Sequence, residues 1–449
     1  MICRLIGEEP MRSESEVLVV GGGLSGLSAA TALAEGGVRV RLIDRTSALG
    51  GNIHRAPNPG AESLSMLADH QRRWARIVAR YEAQKERIAV RCTTRFMGID
   101  QRGMALITGR EEGANRMICP AALVLATGAV ERVTPRPGWT LPGVMTVGGI
   151  QSQLKSTGRA PLGRIVLAGT GPMMLAVGAG LAKAGNPPLA IIEAAQPFRH
   201  PLQALGLPRE YLFEAMTYMR ILMAARVPLL SGRHVSRIEG RGSSSSLKVI
   251  VEDRHGRTRI LESDLLGLHD GLRENTFGLD SALSIPVRST GDCRELLGAR
   301  AAAADGLRVG HELAAHLTGA EVVREPGNTL DRQRRAQTRL RAVYDHPDPF
   351  DLDRMPDDTV LCRCENRTLG DLRALGTATD RELRLLGRFA MGACQGRFCA
   401  EWVRRLTSDS PFSDTSTIGR PRWPVSPLSV QALIKAVDES EHAPENESP

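Results

Sequence analysis

Aromatic residues are scarce in this 449-residue chain, in which Phe, Trp and Tyr together make up 4%. The sequence also lacks any apolar run that approaches the roughly 20 residues needed to span a membrane. No apolar core follows the charged start Met1–Arg12, which argues against a signal peptide. An arginine-rich stretch at 332–341 has no aromatic stacking platform, so it indicates a solvated helix or a partner-docking face rather than a nucleic-acid surface.

What the chain does have is length, glycine and a moderate excess of positive charge. Its 449 residues are too many for one hydrophobic core, and they predict two or three domains. A hydrophobic content of 42% together with 46 glycines is typical of an α/β protein. The net charge of +8 comes from lysines and arginines that are dispersed along the chain.

The eight cysteines are distributed unevenly. A chain without a secretion signal is not expected to hold a disulfide framework, so the grouping of its cysteines is more informative than their number. Four are scattered singly, and four fall within 38 residues: Cys362, Cys364, Cys394 and Cys399. The C-x-C and C-x4-C spacings, separated by 29 residues, favour a [2Fe–2S] cluster held by four thiolates. Structural zinc, which also takes four cysteines but usually in C-x2-C pairs, is the alternative.

A glycine turn stands between a strand and a helix near the N-terminus. The strand Glu16–Val20 leads into Gly21-Gly22-Gly23-Leu24-Ser25-Gly26, and a helix follows to about Glu35. This is the order of a dinucleotide-binding βαβ unit. Its first glycine permits the tight turn, its second lets backbone approach a pyrophosphate, and its third lets the helix pack on the strand. The pyrophosphate is expected at the N-terminus of this helix.

A second strand, Val38–Ile43, ends at Asp44, which is 23 residues after Gly21. That position predicts a carboxylate that accepts hydrogen bonds from a ribose.

A second unit of the same kind begins at Arg164–Ala168. Gly169 and Gly171 occupy the first two fingerprint positions, but Met174 stands where the third glycine belongs. A methionine there is expected to push the helix away from the strand and to alter the phosphate pocket. Glu193 still follows in the ribose-acceptor position, so the fold is expected to persist while reduction by NAD(P)H is doubtful.

Further motifs resemble those of FAD-binding reductases with two dinucleotide-binding domains. Gly50-Gly51 resembles their extended fingerprint, Ala126-Thr127-Gly128 resembles their second motif, and Thr290-Gly291-Asp292 resembles the late Gly-Asp motif whose carboxylate holds the flavin ribityl chain. The resemblance implies FAD in the first unit. His54, just past the double glycine, either faces the flavin or is a packing or surface histidine. The predicted cofactor-binding residues are Gly21, Gly23, Leu24, Ser25, Gly26, Asp44, Arg45, Gly50, Gly51, Ala126, Thr127, Gly128, Gly291 and Asp292.

The sequence around the clustered cysteines resembles the bacterioferritin-associated-ferredoxin-like [2Fe–2S] domain, a small helical module. The resemblance is carried by Leu361-Cys-Arg-Cys-Glu365 and by Met391-Gly-Ala-Cys-Gln-Gly-Arg-Phe-Cys399. Gly392 and Gly396 would leave room for backbone N–H groups to approach sulfur. Arg363 and Arg397 either offset the cluster's negative charge or are solvated surface arginines.

Taken together, residues 15–430 resemble the α (A) subunit of heteromeric amino-acid dehydrogenases, the group that includes opine oxidases, D-hydroxyproline dehydrogenases and hydrogen cyanide synthase. The phrase Pro137-Gly-Trp-Thr-Leu-Pro-Gly-Val144 is the most family-specific, and the Pro-rich stretch at 420–427 also matches. Leu268–Phe277 departs from the family pattern, which puts contacts carried over from that segment in doubt.

The resemblance implies an electron-transfer subunit. Its partners would be a glycine-oxidase-like β subunit that carries FAD and oxidises the substrate, and a small ferredoxin-like γ subunit. FMN between subunits and an adenine nucleotide in the second domain are further cofactors to test for. The expected location is the cytoplasm or the inner face of the cell membrane. The sequence itself offers no paired carboxylates, Ser/His/Asp order or metal-bound water site for independent acid–base chemistry.

The predicted fold is therefore α/β, with two Rossmann-like dinucleotide-binding domains and a small helical [2Fe–2S] domain. The predicted boundaries are 15–152 with 266–323 for the FAD-binding domain, 153–265 for the second nucleotide-binding-like domain, 324–358 for a linker, 359–408 for the cluster domain and 409–449 for an extended tail. Two other functions stay open: a self-contained NAD(P)H-dependent reductase, and an assembly scaffold whose cofactors are structural.

Overall fold

The computed structural model describes residues 16–62, 67–109, 115–241, 244–276, 283–324, 327–346, 350, 352–376, 378–407 and 418–441. The predictions for Met1–Arg12 lie outside the described residues. So does most of Glu439–Pro449, which the sequence predicts to be disordered.

The elements are numbered along the chain. The strands are β1 (Glu16–Val20), β2 (Arg39–Ile43), β3 (Ile88–Arg91), β4 (Arg95–Ile99), β5 (Ala105–Thr108), β6 (Arg116–Ile118), β7 (Ala122–Leu125), β8 (Ala129–Glu131), β9 (Val144–Thr146), β10 (Ile165–Gly169), β11 (Ala190–Glu193), β12 (Leu229–Ser231), β13 (Arg233–Arg241), β14 (Ser244–Asp253), β15 (Thr258–Ser263), β16 (Leu265–His269), β17 (Leu272–Glu274), β18 (Val287–Ser289), β19 (Val360–Cys362) and β20 (Arg367–Thr368). The helices are α1 (Leu24–Glu35), α2 (Ala68–Glu82), α3 (Val147–Thr157), α4 (Pro172–Lys183), α5 (Pro201–Leu205), α6 (Arg209–Ala224), α7 (Ala299–Thr318), α8 (Thr329–Val343), α9 (Leu369–Ala374), α10 (Asp380–Leu385), α11 (Ala400–Leu406) and α12 (Val430–Glu441).

The first half of the molecule is built on a parallel sheet with the strand order β18-β7-β1-β2-β3. Its central strand β1 is buried along four of its five residues, as the near-continuous apolar run EVLVV predicts. Helix α1 covers the sheet and packs closely on α7, because glycines replace larger residues where the two helices meet. A Cβ on Gly306 would lie 2.2 Å from the Ser25 carbonyl oxygen, and one on Gly310 would lie 2.5 Å from that of Ala29.

The second half repeats this plan with the parallel order β12-β11-β10-β16-β9. An antiparallel sheet, β13-β14-β15, packs on it through a shared core that includes Val166, Leu268 and Val249. Two parallel sheets, each with a glycine turn after a central strand, confirm the predicted α/β fold with two dinucleotide-binding halves.

The cysteine-rich segment forms a small module of the short hairpin β19–β20 and helices α9, α10 and α11. Two of the helices begin at capping boxes, formed by Thr368 with Asp371 and by Thr379 with Glu382. A separate apolar core that includes Phe389 holds the module together. The predicted helical character of this module is confirmed.

Residues 324–358, predicted as a linker, contain helix α8, which packs against α5 and α7. Its arginines form ion pairs with neighbouring elements: Arg334 bonds Glu295, and Arg332 pairs with Glu210. The prediction that the arginine-rich stretch forms a helix is confirmed. The prediction that 324–358 is only a linker is not, because α8 packs on two other helices.

The sequence predicts an extended tail for 409–449, but the described part of this segment is not extended throughout. Val430–Glu441 form helix α12, which packs on β5 and β6. Ala436 is fully buried against Met97 and Leu106, and these tertiary contacts stabilise a helix whose local signals are weak. Within the described part of the chain, no helix has both the length and the apolar character to cross a bilayer.

Candidate functional site

The turn between β1 and α1 contains three fingerprint glycines. Neighbouring atoms leave no room for a side chain at two of them and leave room at the third. Gly21 has a φ of 109°, and a Cβ there would lie 2.4 Å from the carbonyl oxygen of Ala126. A Cβ on Gly26 would lie 1.8 Å from the Gly21 carbonyl oxygen, so the helix could not pack on the turn. At Gly23 the nearest atom to such a Cβ is Gly51 Cα, at 3.7 Å. The chain itself does not need a glycine at that position, and the free space fits a ligand pyrophosphate.

Helix α1 begins at Leu24 without a side chain that caps its N-terminus. The backbone N–H groups of its first turn, which begins with Leu24 and Ser25, have no partners inside the helix. They carry the positive end of the helix dipole toward the space beside Gly23. This arrangement suits a phosphate anion.

Asp44 follows β2 and is held by the chain in one orientation. One carboxylate oxygen accepts the Gly22 N–H at 2.6 Å, and the other accepts the Thr46 N–H at 2.7 Å and the Thr46 hydroxyl at 2.6 Å. Three of about four lone-pair positions are therefore used, which leaves capacity for a ribose hydroxyl. The neighbouring Arg45 is exposed.

The Gly50–Gly51 loop closes over the glycine turn. The Gly50 N–H donates to the Gly22 carbonyl at 2.8 Å, and Gly51 faces Gly23. The loop that follows is fixed by Lys155 of α3, whose ammonium donates to the carbonyls of Asn52 and Ile53, each at 2.9 Å. Burial lowers the pKa of Lys155 to about 8.

His54 lies at the end of this loop and is 5% exposed, so the surface alternative is wrong for this residue. Its ring stacks on Trp74, with the centroids 5.0 Å apart and the planes inclined by 15°. Neither ring nitrogen has a hydrogen-bond partner among the described residues. Burial, together with the positive charges of His70 and Lys155, lowers the pKa of His54 to about 4. The imidazole is therefore neutral at ordinary pH, and its nitrogens are available to a ligand.

The other predicted flavin residues follow β7, which pairs with β1, and β18, which pairs with β7. Gly128 follows β7, has a φ of 70°, and has no atom within 4 Å of a hypothetical Cβ. Thr127 donates its hydroxyl to the Asn275 carbonyl. Asp292 follows β18 and accepts the N–H groups of Leu297 and Gly298 on one carboxylate oxygen. Because β7 lies between β1 and β18, sequence positions 21, 128 and 292 meet at one edge of the sheet.

A buried network that sequence reasoning missed joins these segments. Asp305 of α7 accepts the Gly291 N–H at 2.7 Å and the Thr290 hydroxyl at 3.2 Å, and it forms an ion pair with Arg294. Ser25 donates to the Thr290 hydroxyl at 2.9 Å, so the N-terminus of α1 is tied to the late Gly-Asp motif. An acidic residue inside an alanine-rich helix was the only signal for this role.

The second glycine turn copies the first in several respects. A Cβ on Gly171, the counterpart of Gly23, would have no atom within 4 Å, and helix α4, like α1, has no side chain that caps its N-terminus. Glu193 accepts the N–H of Gly171 at 3.0 Å, as Asp44 accepts that of Gly22, and it also accepts the N–H of Ala195. Burial raises the pKa of Glu193 to about 7.

The phosphate side of the second turn differs from the first. Met174 is fully buried in the core of this half, in place of the third glycine. Helix α4 begins at Pro172, the counterpart of Leu24, and proline has no N–H to offer a phosphate. The second turn therefore lacks the third fingerprint glycine and one backbone N–H, while the space beside Gly171 is open.

Residues from a distant part of the chain share a cavity with the second turn. His346 and Phe350, from the segment after α8, line the cavity beside Gly169 and Thr170. Phe350 lies under the guanidinium of Arg136, 4.2 Å from ring centroid to Cζ. The remaining cavity is about 260 Å³, which is below the roughly 300–1,000 Å³ of ordinary ligand pockets. This cavity is the one beside the second glycine turn that the chain leaves between these residues.

The four clustered cysteines come together as two pairs. In the first pair, the Cys399 thiol donates a hydrogen bond to Cys362, and this bond lowers the pKa of Cys362 to about 6. In the second pair, Cys364 is hydrogen-bonded to Cys394. Each pair lies close enough to influence the charge of the other. In the described residues, no set of three or more His, Cys, Asp or Glu side chains forms a site for a single metal ion.

Backbone N–H groups converge on Cys362, and several residues of the same module have positive φ angles. Those of Glu365, Cys364 and Ala390 donate to Cys362. Of the six non-glycine residues with positive φ in the described chain, four lie in this module: Asn366, Arg388, Ala390 and Gln395. Such conformations cost on the order of 1 kcal/mol each and persist where the surroundings require them. Backbone conformations with positive φ therefore accompany the N–H groups that are directed toward sulfur in this module.

The two glycines of the cysteine loop have different neighbours. A Cβ on Gly392 would lie 2.3 Å from that of Cys364, so the glycine is needed for the close approach to a cysteine. Gly396 instead makes room for Gly419 of the C-terminal segment, 2.7 Å from a hypothetical Cβ. The predicted role of Gly396 in leaving room next to sulfur is therefore replaced by a packing role.

The module docks on the rest of the chain through the family-specific phrase and β8. Trp139 donates its indole N–H to the Val360 carbonyl at 2.7 Å. Arg132 forms an ion pair with Glu401 at 2.7 Å and stacks on Trp402, with 4.7 Å between Cζ and the ring centroid. Arg397 of the cysteine loop donates to the Cys394 carbonyl and to that of Val425, whereas Arg363 is exposed.

Comparisons with known proteins agree with this architecture. Residues 15–294 match the pyridine nucleotide-disulphide oxidoreductase family. The chain is 30% identical to the HcnB subunit of hydrogen cyanide synthase from Pseudomonas aeruginosa, over 93% of this chain and 97% of that protein. It is also 30% identical to the A-type subunit of opine oxidase from Rhizobium meliloti (strain 1021), over 94% and 99% of the two chains. The solved structure of L-proline dehydrogenase from P. horikoshii has a similar fold, with a TM-score of 0.59 and 18% identity over 95% of this chain and 80% of that one.

Proposed function

This chain belongs to the pyridine nucleotide-disulphide oxidoreductase family and is an FAD-dependent oxidoreductase. We propose that it is the electron-transferring subunit of a heteromeric amine or amino-acid dehydrogenase. The substrate, an amino acid or an opine, is oxidised on a separate FAD-containing, glycine-oxidase-like β subunit. A small ferredoxin-like γ subunit is the third partner. The proposal draws on relatives that are named as subunits of hydrogen cyanide synthase and opine oxidase.

The observation that carries the proposal is the altered fingerprint of the second nucleotide site. A reductase of this family would take electrons from a nicotinamide nucleotide bound at the second turn. Here a buried Met174 replaces the third glycine, Pro172 removes one N–H, and Phe350 lines the cavity beside the turn. These changes favour another source of electrons, and a partner subunit supplies one.

FAD is held, in this proposal, at the converging ends of β1, β2, β7 and β18. The pyrophosphate lies over Gly23 and the N-terminus of α1, Asp44 binds the ribose, and Asp292 binds the ribityl chain. The free space at Gly23 and the unused carboxylate capacity of Asp44 support this fit. Bound FAD supplies chemistry that accepts electrons in pairs and releases them singly. The other residues of this assignment are Gly21, Leu24, Ser25, Gly26, Arg45, Gly50, Gly51, Ala126, Thr127, Gly128 and Gly291.

A [2Fe–2S] cluster bound by Cys362, Cys364, Cys394 and Cys399 is the second cofactor. Two thiol pairs suit two irons that each take two thiolates, whereas one zinc ion needs four ligands around a single centre. The pairing is therefore evidence against zinc, and the converging N–H groups favour the negative charge of a cluster. The ferredoxin-like character of the module is part of the same proposal.

Other cofactors and the location follow from the same family likeness. FMN is a candidate at the contact with the β subunit. The cavity beside Thr170, lined by Arg136 and His234, either stays free of ligand or holds an adenine mononucleotide. The complex is proposed to work in the cytoplasm or on the inner face of the cell membrane.

The proposal is tested by adding NADH or NADPH to the purified chain without oxygen. We expect the visible flavin absorbance to persist, and dithionite to bleach it in the same cuvette. Rapid bleaching by either nucleotide would instead support a self-contained reductase. Co-purification with the two partners, followed by flavin and iron analysis, tests the heteromeric part.

A scaffold with structural cofactors is separated by a second experiment on the assembled complex. Cys394→Ser should remove the cluster and abolish most turnover to an external electron acceptor. Cys119→Ser, at a cysteine outside the module, should leave turnover unchanged. Full turnover of the Cys394→Ser complex would favour the scaffold.

A further inference from the structure

A short two-stranded ribbon connects the predicted flavin segment to the cysteine module. Strand β8 begins directly after Gly128, and β17 pairs with it in the register Arg273↔Val130. At the flavin end of the ribbon, the Asn275 N–H donates to the Gly128 carbonyl at 3.2 Å, and the Asn275 carbonyl accepts the Thr127 hydroxyl. The ribbon is therefore fixed to a segment that contacts the cofactor in the proposed function.

From the middle of β17, Arg273 projects onto the cysteine module. Its guanidinium lies 5.5 Å from the centroid of the Phe398 ring, and Phe398 immediately precedes Cys399. The charge of Arg273 interacts with Cys394 and with Glu401, and it is close enough to Arg397 and Arg132 for mutual repulsion. The side chain is thus part of a group of cations beside the cysteine loop.

No carboxylate of the described chain lies within ion-pair distance of Arg273. The nearby Glu401 pairs instead with Arg132 at 2.7 Å. A positive charge that is partly removed from water and not matched at close range interacts strongly with any charge that changes beside it. Reduction of a [2Fe–2S] cluster adds one negative charge at this position.

We propose that Arg273 is a positioning residue that raises the reduction potential of the cluster, so that an electron passes readily from the flavin half to the module within one chain. This inference rests on the proposed function, since it needs a cluster on the four cysteines. In the transfer one electron leaves the reduced flavin and one is gained by the oxidised cluster. No bond to Arg273 forms or breaks. The cation stabilises the more negative product, and the ribbon keeps it between the two cofactor sites.

The test is a redox titration of the full chain with its cofactors, in which the cluster is followed by EPR or by its visible absorption. Arg273→Gln should shift the midpoint to a more negative potential. We expect a several-fold to tenfold change in the ratio of oxidised to reduced cluster, and tenfold corresponds to about 59 mV for one electron. Arg273→Lys should keep most of the wild-type potential because it keeps the charge. Arg199→Gln, at an exposed arginine outside the module, is the matched control.

Arg273→Met gives a second measurement if Arg273→Gln assembles poorly, because methionine keeps an apolar side chain against Phe398 and removes the charge. Its midpoint should also shift to a more negative potential. An unchanged midpoint in whichever of the two variants binds the cluster would overturn the role of Arg273 and leave the proposed function in place. A wild-type chain that binds iron only as a trace, or binds zinc, would overturn both.

Discussion

His54 gives the most specific stability prediction, because its environment fixes its charge. The ring is 5% exposed and stacks on Trp74, and burial with the neighbouring charges of His70 and Lys155 lowers its pKa to about 4. An unfolded histidine has a pKa of about 6.5. Between these values the unfolded chain binds a proton that the folded chain does not. The contribution of neutral His54 to stability is therefore complete above about pH 6.5, and it is lost as the pH falls toward 4.

The size of the effect follows from the two pKa values. At pH 5 the difference in proton binding amounts to about 2 kcal/mol, and the full limit below pH 4 is about 3 kcal/mol. For a cooperative unit of about 200 residues, 2 kcal/mol corresponds to a shift of roughly 4–8 °C in the unfolding temperature. His54→Phe keeps an aromatic ring against Trp74 but cannot take up a proton. This variant should lose about that much less stability than wild type between pH 7.5 and pH 5.

The assay is the thermal release of flavin, followed by fluorescence at both pH values. Glu193, whose pKa is raised to about 7 by burial, titrates in the same region with the opposite sign. Its folded form holds a proton longer, so its contribution falls as the pH rises from about 4.5 to 7. The difference between the two proteins removes this effect, since both contain Glu193. His255→Phe, at an exposed histidine, controls for the loss of a histidine. Parallel pH profiles for wild type and His54→Phe would refute the buried neutral imidazole.

Three further substitutions test the cofactor sites and the network between them. Gly23→Val should abolish flavin binding because the side chain fills the space beside the helix N-terminus, whereas the control Gly240→Val should keep the yellow colour of bound flavin. A yellow Gly23→Val protein would contradict the assigned flavin site. Cys364→Ala should lose the cluster absorption and keep the flavin, whereas the control Cys92→Ala should keep both. A cluster retained in Cys364→Ala would exclude Cys364 as a ligand. Asp305→Asn removes a charged acceptor from the Gly291 segment and should lower the free energy of unfolding by about 1.5–3 kcal/mol in denaturant titrations, with an unchanged midpoint as the contrary result.

Local sequence signals predicted the first βαβ unit well, because each of its elements is specified by neighbouring residues. The predicted strand Glu16–Val20 and helix Leu24–Glu35 agree with the observed bounds. An apolar run, a glycine turn and an alanine-rich segment suffice for such a unit, whatever the rest of the chain does. The cysteine spacing was similarly informative about the grouping, because four thiols within 38 residues indicate one small module. The spacing carried no signal for which thiols lie side by side, and Cys362 lies next to Cys399.

Long-range contacts explain what the sequence could not predict. Helix α12 is stabilised by packing on β5 and β6, which are more than 300 residues away in sequence. The hydrogen bond from Ser25 to Thr290 and the contact of Arg273 with Phe398 also join residues that are more than 100 positions apart in sequence. The cavity that Thr170 and Phe350 line together is of the same kind. Binary patterns and turns report on local structure, so they carry no signal for contacts of this range.

The C-terminal third of the chain therefore has two effects that depend on each other. Residues between α8 and the cysteine module line the cavity beside the second glycine turn, and the module itself docks through Trp139 beside the ribbon that starts next to Gly128. A module on a free linker would leave both contacts undefined. One continuous segment therefore fixes the surroundings of the second glycine turn and the position of the module relative to the first turn.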